Sequence, residues 1–559
     1  MSSPRLRPRA VAAMATASAA LLALSGCHGG GASAQSAAGS SDSLTIGVDN
    51  GSPTLQKNFN PFSANQRSGT PYMYEPLEYV NQLDGTYTPF LATGHTFVNN
   101  ATLTFTLRAG AKWSDGKPIT AQDAVFTFDL MKSHPALDSA GVWKHLKSVT
   151  AAGDKVTFAF VAPDVPFAGS IAQTLIVPQH VWSKVADPVT FTNTAPVTSG
   201  PYTVASFTPN QYTLTKNADC WQAGQVQVDK LVFPALTGNA TSQLELSKGD
   251  YDWATLFIPD VRKTWVGKDA ANNKFWFPAG GVISLYMNLG KAPFDSAAFR
   301  QGLSYGLDRG QIADKAENGY VEPAAQDGLL PALSSWRDPS LPAQGQVAYD
   351  AGKAQSSFAR AGYHRSGGKL VGPNGKKVSF SIMVPSGFSD WLQGAQVLQQ
   401  QLAELGITLT IQTPQYAAYF SGLQAGQFDT ALGGFGGTGN PYTDLDSLLD
   451  SKLTAPVGKS AASNFERWQD PATDGLLHTL ETSTDQAAQK TAVHGLEHVM
   501  LTQVPVVSLF YGATWGEYST AKFTGWPDAA HPYAPPAPYG SPAPDKSTPL
   551  MIITHLKKK

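Results

Sequence analysis

The chain has 559 residues, of which 15% are charged and 42% are hydrophobic, so two or three folded domains are expected. No stretch of the body reaches the ~18 consecutive apolar residues of a membrane-spanning helix, and no such helix is predicted there. The formal net charge of −2 becomes −5 without the predicted signal peptide, with 37 Lys and Arg against 42 Asp and Glu, which argues against nucleic acid as the partner.

The amino terminus predicts export. Residues 1–26 combine three early arginines with the apolar run Ala10–Leu24, which is typical of a secretory signal peptide. The sequence "LSGC" that ends at Cys27 resembles a bacterial lipobox, which implies that Cys27 is acylated. An ordinary signal peptide with an incidental cysteine is the alternative. Residues 27–42 are small and polar, and we expect a flexible tether with a mean reach of roughly 20 Å.

The next segments predict β-structure. Ser43–Asn50 alternates apolar and polar residues, and Thr102–Gly110 predicts a half-buried strand because leucines and a phenylalanine alternate with threonines. In the following "KWSDGKPITAQD", Asp115-Gly116 predicts a turn, and Thr120 with Asp123 forms a variant capping box before a helix. Ser199–Asn217 predicts a hairpin around a Pro-Asn turn.

From residue 379 onward, strands and helices alternate. Strands are predicted over 380–384, 407–412 and 428–434, and the intervening helices end at Gly406 and Gly426. This order implies a right-handed βαβαβ unit with a parallel sheet. Residues 531–544 are proline-rich and predicted to be extended, and 549–556 are predicted to form a last strand.

Three long segments resemble the extracellular solute-binding proteins of family 5. They are Thr102–Met131, Ser199–Trp221 and Tyr286–Ile312, which occur in the family's order. The resemblance covers about residue 44 to the end. It implies an α/β fold of the periplasmic-binding-protein-like type II (cluster C), with two lobes, a hinge and an extra α/β domain.

The resemblance also implies domain boundaries. Lobe I is expected over 43–79, 177–282 and 505–559, the extra domain over 80–176, and lobe II over 283–504. The "WSDG" segment would then stabilise the extra domain, with Trp113 packed inside and with Lys112, Ser114 and Asp115 in no catalytic role.

The family's function is capture of a solute between the lobes and its delivery to an ABC permease. We therefore expect a lipoprotein on the outer face of the bacterial cytoplasmic membrane that binds oligopeptides as a monomer. Transport energy would come from separate ATPase subunits, since the chain has no Walker A motif. Enzymatic activity, a cofactor, a metal and nucleic acid are not expected.

The resemblance places ligand contacts in the segment "GGFGGTGNPY". Peptide-binding relatives carry an aspartate for the peptide's amino group where this chain has Thr438, and no acid follows until Asp444. The sequence therefore favours ligands without a free amino group, such as blocked or cyclic peptides and oligosaccharides. The candidate contacts are Phe435, Gly436, Gly437, Thr438, Asn440 and Tyr442 in lobe II, Asn60, Arg67 and Tyr72 in lobe I, and Tyr286 and Asn288 near the hinge.

Other motifs suggest different functions. "GFGGTG" fits the dinucleotide fingerprint GxGxxG, but the following Pro441 argues against a helix opening under a pyrophosphate. "HGLEH" fits the H-x-x-E-H pattern of zinc hydrolases, with His494 and His498 one helical turn apart, although no third ligand is apparent. An exported metal-dependent hydrolase is thus the alternative of a different class. Cys220 is expected to be a buried, unreactive thiol.

Overall fold

The computed structural model describes residues 42–48, 54–63, 65–236, 239–539 and 547–559. The predicted signal peptide, Cys27 and the predicted tether up to residue 41 lie outside the described residues. No helix in the described ranges is both long enough and apolar enough to cross a membrane.

The strands of the described residues are, in chain order, β1 (Ser43–Gly47), β2 (Glu78–Val80), β3 (Tyr87–Pro89), β4 (Ala92–Asn99), β5 (Thr102–Leu107), β6 (Leu146–Ala152), β7 (Lys155–Phe160), β8 (Tyr202–Thr208), β9 (Gln211–Lys216), β10 (Lys230–Pro234), β11 (Trp253–Ala254), β12 (Asn273–Phe275), β13 (Ala279–Met287), β14 (His364–Ser366), β15 (Lys369–Val371), β16 (Ser379–Met383), β17 (Thr408–Gln412), β18 (Thr430–Phe435), β19 (Val506–Ala513), β20 (Glu517–Ser519), β21 (Phe523–Thr524) and β22 (Lys557–Lys558).

The helices are α1 (Ala121–Ser133), α2 (Ala168–Ala172), α3 (Gln179–Trp182), α4 (Asn239–Lys248), α5 (Val261–Thr264), α6 (Ala297–Tyr305), α7 (Arg309–Ala316), α8 (Ala351–Arg360), α9 (Ser389–Glu404), α10 (Tyr416–Ala425), α11 (Pro441–Leu449), α12 (Pro471–Thr482), α13 (Gln486–Thr502) and α14 (Thr548–His555).

Lobe I is built on a seven-stranded sheet with the order β12-β20-β11-β1-β10-β9-β8. The central strand β1 pairs in parallel with β10 and β11, whereas β8 and β9 form the predicted antiparallel hairpin. The segments that follow β1 and β10 at their carboxyl ends, residues 49–53 and 237–238, lie outside the described residues.

The extra domain is a four-stranded sheet, β4-β5-β7-β6, packed against α1. Every second residue of β5 is buried, as the alternation predicted. The capping box is confirmed, since the Thr120 N–H donates to Oδ2 of Asp123 at 2.9 Å. Trp113 is fully buried in a hydrophobic core that this domain shares with lobe I. The "WSDG" segment therefore stabilises the fold by packing Trp113 into this core.

Lobe II is built on a five-stranded sheet with the order β17-β16-β18-β13-β19. Strands β16, β17 and β18 are parallel and are connected through α9 and α10, which confirms the predicted βαβαβ unit. Gly406 and Gly426 end the two helices in left-handed conformations, with φ of +83° and +66°. Because β13 and β19 run antiparallel to their neighbours, the whole sheet is mixed.

Two segments connect the lobes. Residues 276–278 join β12 of lobe I to β13 of lobe II, and residues 514–516 join β19 back to β20. These segments form the hinge. The predicted domain boundary at residue 282 falls inside β13, and the one at residue 504 precedes β19; the other predicted boundaries stay predictions.

Two sequence predictions are wrong. Residues 549–556 lie mostly in helix α14, whose residues from Thr548 to Thr554 are all buried. A helix that is apolar on every side is stable when it is surrounded by protein, and here burial overrides the strand preference of Ile552 and Ile553. Pro441 does not prevent a helix but begins α11, because proline lacks the N–H that the first helical position leaves unpaired.

Candidate functional site

The glycine-rich loop after β18 lies at the carboxyl edge of the parallel strands, where ligands of α/β proteins bind. Gly436, Gly437 and Gly439 have φ of +79°, +89° and +76°, which side chains rarely tolerate. Asn440 then caps α11, since its Oδ1 accepts from the Tyr442 N–H at 2.9 Å. The loop backbone is therefore fixed at both ends.

The nearest acid to this loop is turned inward. Asp444 is 1% exposed, and its Oδ1 accepts from the Thr438 N–H at 3.0 Å and from the Thr438 hydroxyl at 2.7 Å. Burial raises the pKa of Asp444 to about 6, although the Thr438 hydrogen bonds act in the opposite direction. Asp444 thus supports the loop from beneath instead of presenting a carboxylate on its surface.

A cavity of about 300 Å³ lies between this loop and the amino-terminal part of the chain. On the lobe II side it is lined by the predicted contacts Thr438, Asn440 and Tyr442, together with Trp336. The opposite wall comes from the β2–β3 turn and the extra domain, and includes Asp84, Tyr87, His95, Phe97 and Gln173. The wall is mainly aromatic and uncharged polar, with Asp84 at its exposed rim.

Direct contacts between the two walls bound the cavity. Gly85, in the β2–β3 turn, meets Gly439 so closely that a Cβ on Gly85 would lie 2.3 Å from the Gly439 carbonyl oxygen. The Val165 N–H donates to the Glu481 carbonyl at 2.8 Å, and Asn100 Nδ2 donates to the Thr482 carbonyl at 3.1 Å. The extra domain thereby satisfies carbonyls that the end of α12 leaves unpaired.

The hinge carries half-buried aromatic side chains. Trp515 packs edge-on against Phe277 and Phe257, with ring centroids 4.7 and 5.3 Å apart. Tyr320 of lobe II adds a bridge to lobe I, because its hydroxyl accepts from the Val261 N–H at 2.9 Å and donates to the Ile258 carbonyl at 3.1 Å. Aromatic packing and polar contacts thus meet where the lobes are joined.

Lobe II also exposes an aromatic strip, formed by Phe388, Trp391, Tyr416 and Phe420. These side chains lie just before or within the first turns of α9 and α10, directly after the carboxyl ends of β16 and β17. Tyr416 is 57% exposed, and its ring stacks on Phe420 at 6.3 Å. The strip therefore shares the sheet edge of the glycine loop. None of the sequence predictions included this strip, although its position after two predicted strands could have indicated it.

Two of the predicted lobe I contacts, Asn60 and Tyr72, make hydrogen bonds to backbone carbonyls inside the protein. Asn60 is fully buried and donates from Nδ2 to the carbonyls of Pro188 and Phe191 at 3.0 and 2.7 Å. Tyr72 is also fully buried, and its hydroxyl donates to the Pro538 carbonyl at 3.0 Å. Arg67 is half-buried. None of the predicted lobe I contacts lines the cavity beside the glycine loop.

The remaining predicted contacts are inside lobe II. Tyr286 is 3% exposed and donates to the Gly434 carbonyl at 3.0 Å, and Asn288 is fully buried. Phe435 packs in the core beneath α11 to α13, whereas Gly437 faces β13, where a Cβ on Gly437 would meet the Gly280 oxygen. Gly436 and Gly437 allow the loop to turn through positive φ angles. The side chains of Tyr286, Asn288 and Phe435 stabilise lobe II from within.

The HGLEH motif lies on α13, and Cys220 is buried in lobe I. His494 and His498 lie on α13, and no group of three His, Cys, Asp or Glu in the described ranges is placed to hold a metal ion. Glu497 is buried, and its Oε2 accepts from the Asp338 N–H at 2.9 Å. Cys220 is 4% exposed, as predicted, and burial raises the pKa of its thiol.

The family profile described as "Bacterial extracellular solute-binding proteins, family 5 Middle" matches residues 86–455. The oligopeptide-binding protein OppA of Bacillus subtilis (strain 168) is 22% identical over 464 residues, which cover 78% of this chain and 82% of OppA.

Solved structures from Thermotoga maritima share the fold. The periplasmic oligopeptide-binding protein of an oligopeptide ABC transporter superposes with a TM-score of 0.82 at 26% identity, over 93% of this chain and 100% of its own. Its mannohexaose-bound form superposes with a TM-score of 0.72 at 27% identity, over 93% of this chain and 99% of its own. Sequence and fold thus agree on the class of protein.

Proposed function

Because the chain belongs to the bacterial extracellular solute-binding proteins of family 5, we propose that it captures an extended solute, foremost an oligopeptide, for an ABC importer. One observation carries the proposal: a cavity lies between lobe II and the amino-terminal part of the chain, and in the described residues two chain segments join the lobes. That arrangement suits a molecule that closes around its ligand.

Opening would occur at the contacts that bound the cavity. The Asn100–Thr482 and Val165–Glu481 hydrogen bonds and the Gly85–Gly439 approach must part before a solute enters. Residues 276–278 and 514–516 would absorb the rotation. A bound solute favours the closed form only by its differential affinity for that form, and the permease would then recognise it.

Recognition of the solute inside the cavity would rest on neutral groups, because Asp84 lies at the exposed rim. The glycine loop offers backbone groups, and Thr438, Asn440 and Tyr442 offer polar side chains along the cavity. The buried Asp444 supplies no carboxylate for a peptide's amino group. We therefore expect peptides with a blocked amino terminus to bind as well as free ones.

A neutral oligosaccharide is the second candidate ligand. The exposed aromatic strip favours it, because flat rings bury ligand surface at low entropic cost and require no ion pair. The mannohexaose-bound relative from Thermotoga maritima is a precedent for such a ligand in a similar protein.

We further propose that the protein is a monomeric lipoprotein, anchored through Cys27 on the outer face of the cytoplasmic membrane. The lipobox-like "LSGC" supports this. Metabolic labelling with a radioactive fatty acid would test it, since Cys27→Ala should abolish the label and release the protein from membranes. A label that persists in this variant would contradict lipidation at Cys27.

The proposed function is tested by identifying the ligand. Protein purified without denaturation should carry a small solute that mass spectrometry identifies as a peptide or a sugar. Panels of both should raise the thermal unfolding temperature, since ligands stabilise the state they bind. Turnover of such compounds, abolished by a chelator and by His494→Ala, would instead support the hydrolase alternative.

A further inference from the structure

The extra-domain wall of the cavity contains polar groups that lack protein partners. Gln173 is 4% exposed, and its buried Oε1 accepts no hydrogen bond from the described residues. In the same part of the chain, the only side-chain hydrogen bond of His95 is made through Nδ1, and the Tyr87 hydroxyl makes none. Buried polar groups are normally paired, so the unpaired Gln173 Oε1 beside a cavity indicates a partner that arrives from outside. The His95 side chain, 22% exposed, and Tyr87, 36% exposed, line the same cavity and are open to the same partner.

The orientation of His95 is fixed by its surroundings. Nδ1 lies 2.6 Å from Oε2 of Glu78, whose side chain is only 3% exposed. The imidazole also contacts the rings of Tyr87 and Phe105, with centroids 4.7 and 5.3 Å away. When Nδ1–H donates to the Glu78 carboxylate, Nε2 of the neutral ring remains as an acceptor. A carboxylate that orients a histidine in this way builds a defined contact point.

We propose that the extra-domain wall of the cavity, through Tyr87, His95 and Gln173, is part of the ligand site and accepts hydrogen bonds from an uncharged, donor-rich segment of the bound solute. His95 Nε2 and Gln173 Oε1 are both acceptors, so the matching groups are peptide N–H or sugar O–H groups. Asn440 and Thr438 line the same cavity from lobe II. The inference rests on the proposed function and extends it, because it makes the extra domain a determinant of specificity.

The chain offers a matched control for His95. His145 lies in the same domain, its Nδ1 is 2.6 Å from Oδ2 of Asp164, and its ring stacks on Phe167 at 4.0 Å. His145 does not line the cavity. His145→Ala therefore removes a similar carboxylate–histidine–aromatic arrangement without removing a ligand contact.

The test uses two probes, a library of peptides capped at both ends and a mixture of neutral oligosaccharides that includes mannohexaose. Binding to ligand-free protein is measured by calorimetry for the wild type, His95→Ala, Gln173→Met and His145→Ala. We expect the first two variants to bind the preferred probe roughly tenfold more weakly, because each loses one hydrogen bond in a desolvated site. His145→Ala should bind like the wild type.

Further measurements separate recognition from folding. Glu78→Gln retains an acceptor for His95 and should keep most of the affinity, whereas Glu78→Ala should lose it. Gln173→Met keeps the length of the side chain, so it provides a second reading if His95→Ala unfolds. Wild-type affinity in both His95→Ala and Gln173→Met would overturn the role of the extra-domain wall in ligand binding and leave the proposed function intact. A wild type that binds neither probe would instead contradict the proposed function.

Discussion

Gly439→Ala tests whether the contact between the glycine loop and the β2–β3 turn controls ligand binding. Gly439 has φ of +76°, and its Cβ would lie 2.6 Å from the Asn81 oxygen and 3.0 Å from the Gly85 nitrogen. Both neighbours are backbone atoms of one tight turn, in which the Gly85 N–H donates to the Asn81 carbonyl at 2.8 Å. The clash is therefore relieved mainly by separating the loop from the turn.

The expected loss of ligand affinity in Gly439→Ala follows from a conformational cost and a steric cost. An alanine in the left-handed region costs about 1–2 kcal/mol whatever its neighbours. The steric term acts only on the closed arrangement, and a shift of about 1.4 kcal/mol toward the open form already lowers the apparent affinity tenfold. We therefore expect ligand binding at least tenfold weaker than in the wild type, together with a larger radius of gyration.

Gly153→Ala is the matched control. Gly153 has φ of +63°, and no heavy atom lies within 4 Å of the position of its Cβ, so this variant has the conformational cost without the clash. Calorimetry of the co-purified ligand and small-angle X-ray scattering compare the two variants. If Gly439→Ala binds and scatters like Gly153→Ala, the loop–turn contact does not control closure and the reasoning is refuted.

Three further predictions concern stability and the aromatic strip. Asp444→Asn should flatten the pH dependence of the free energy of unfolding. In the wild type, a pKa of Asp444 raised from 3.8 to about 6 contributes about 3 kcal/mol of stability, which is complete below pH 3.8 and lost as pH rises through 6. A wild-type urea midpoint that stays as constant across pH 4–7 as that of Asp444→Asn would contradict this. Trp113→Ala should destabilise the fold by about 3–5 kcal/mol in thermal unfolding, since the side chain is fully buried, whereas Lys112→Ala should cost little and should leave binding intact. Tyr416→Ala should weaken ligand binding several-fold at an unchanged melting temperature, whereas Tyr349→Ala, which removes a similarly exposed ring elsewhere, should not affect binding.

Local sequence signals predicted much of the fold. The apolar periodicity before Gly406 and Gly426 located α9 and α10, and the alternation in β5 was read correctly because these patterns depend on neighbours in sequence. The strand prediction for residues 549–556 was wrong because their apolar run fits a buried helix as well as a strand. Only long-range packing against lobe I and the extra domain decides between the two.

The candidate site was predicted in part. Thr438, Asn440 and Tyr442 line the cavity because they follow a strand end that the βαβαβ pattern located. The polar loop at Asn60 looked similar in sequence, but its amide pairs with carbonyls that lie 128 and 131 residues away. No local pattern predicts such pairs, and the same is true of the extra-domain wall, where Glu78 on β2 orients His95 on β4, a strand of a different sheet.

The role of Asp444 could not be predicted from its position in the sequence. The sequence has no acid between Thr438 and Asp444. Only the geometry reveals that Asp444 folds back under the loop and accepts two hydrogen bonds from Thr438. The role of Asp444 is thus to hold the loop.

Native mass spectrometry of the protein purified from its own membranes tests the central claim most directly. We predict a complex of one chain with one non-covalently bound, uncharged oligomeric solute, whose mass is the same before capture and after release. A chain that always flies without ligand, or a solute recovered as cleavage products, would contradict the account.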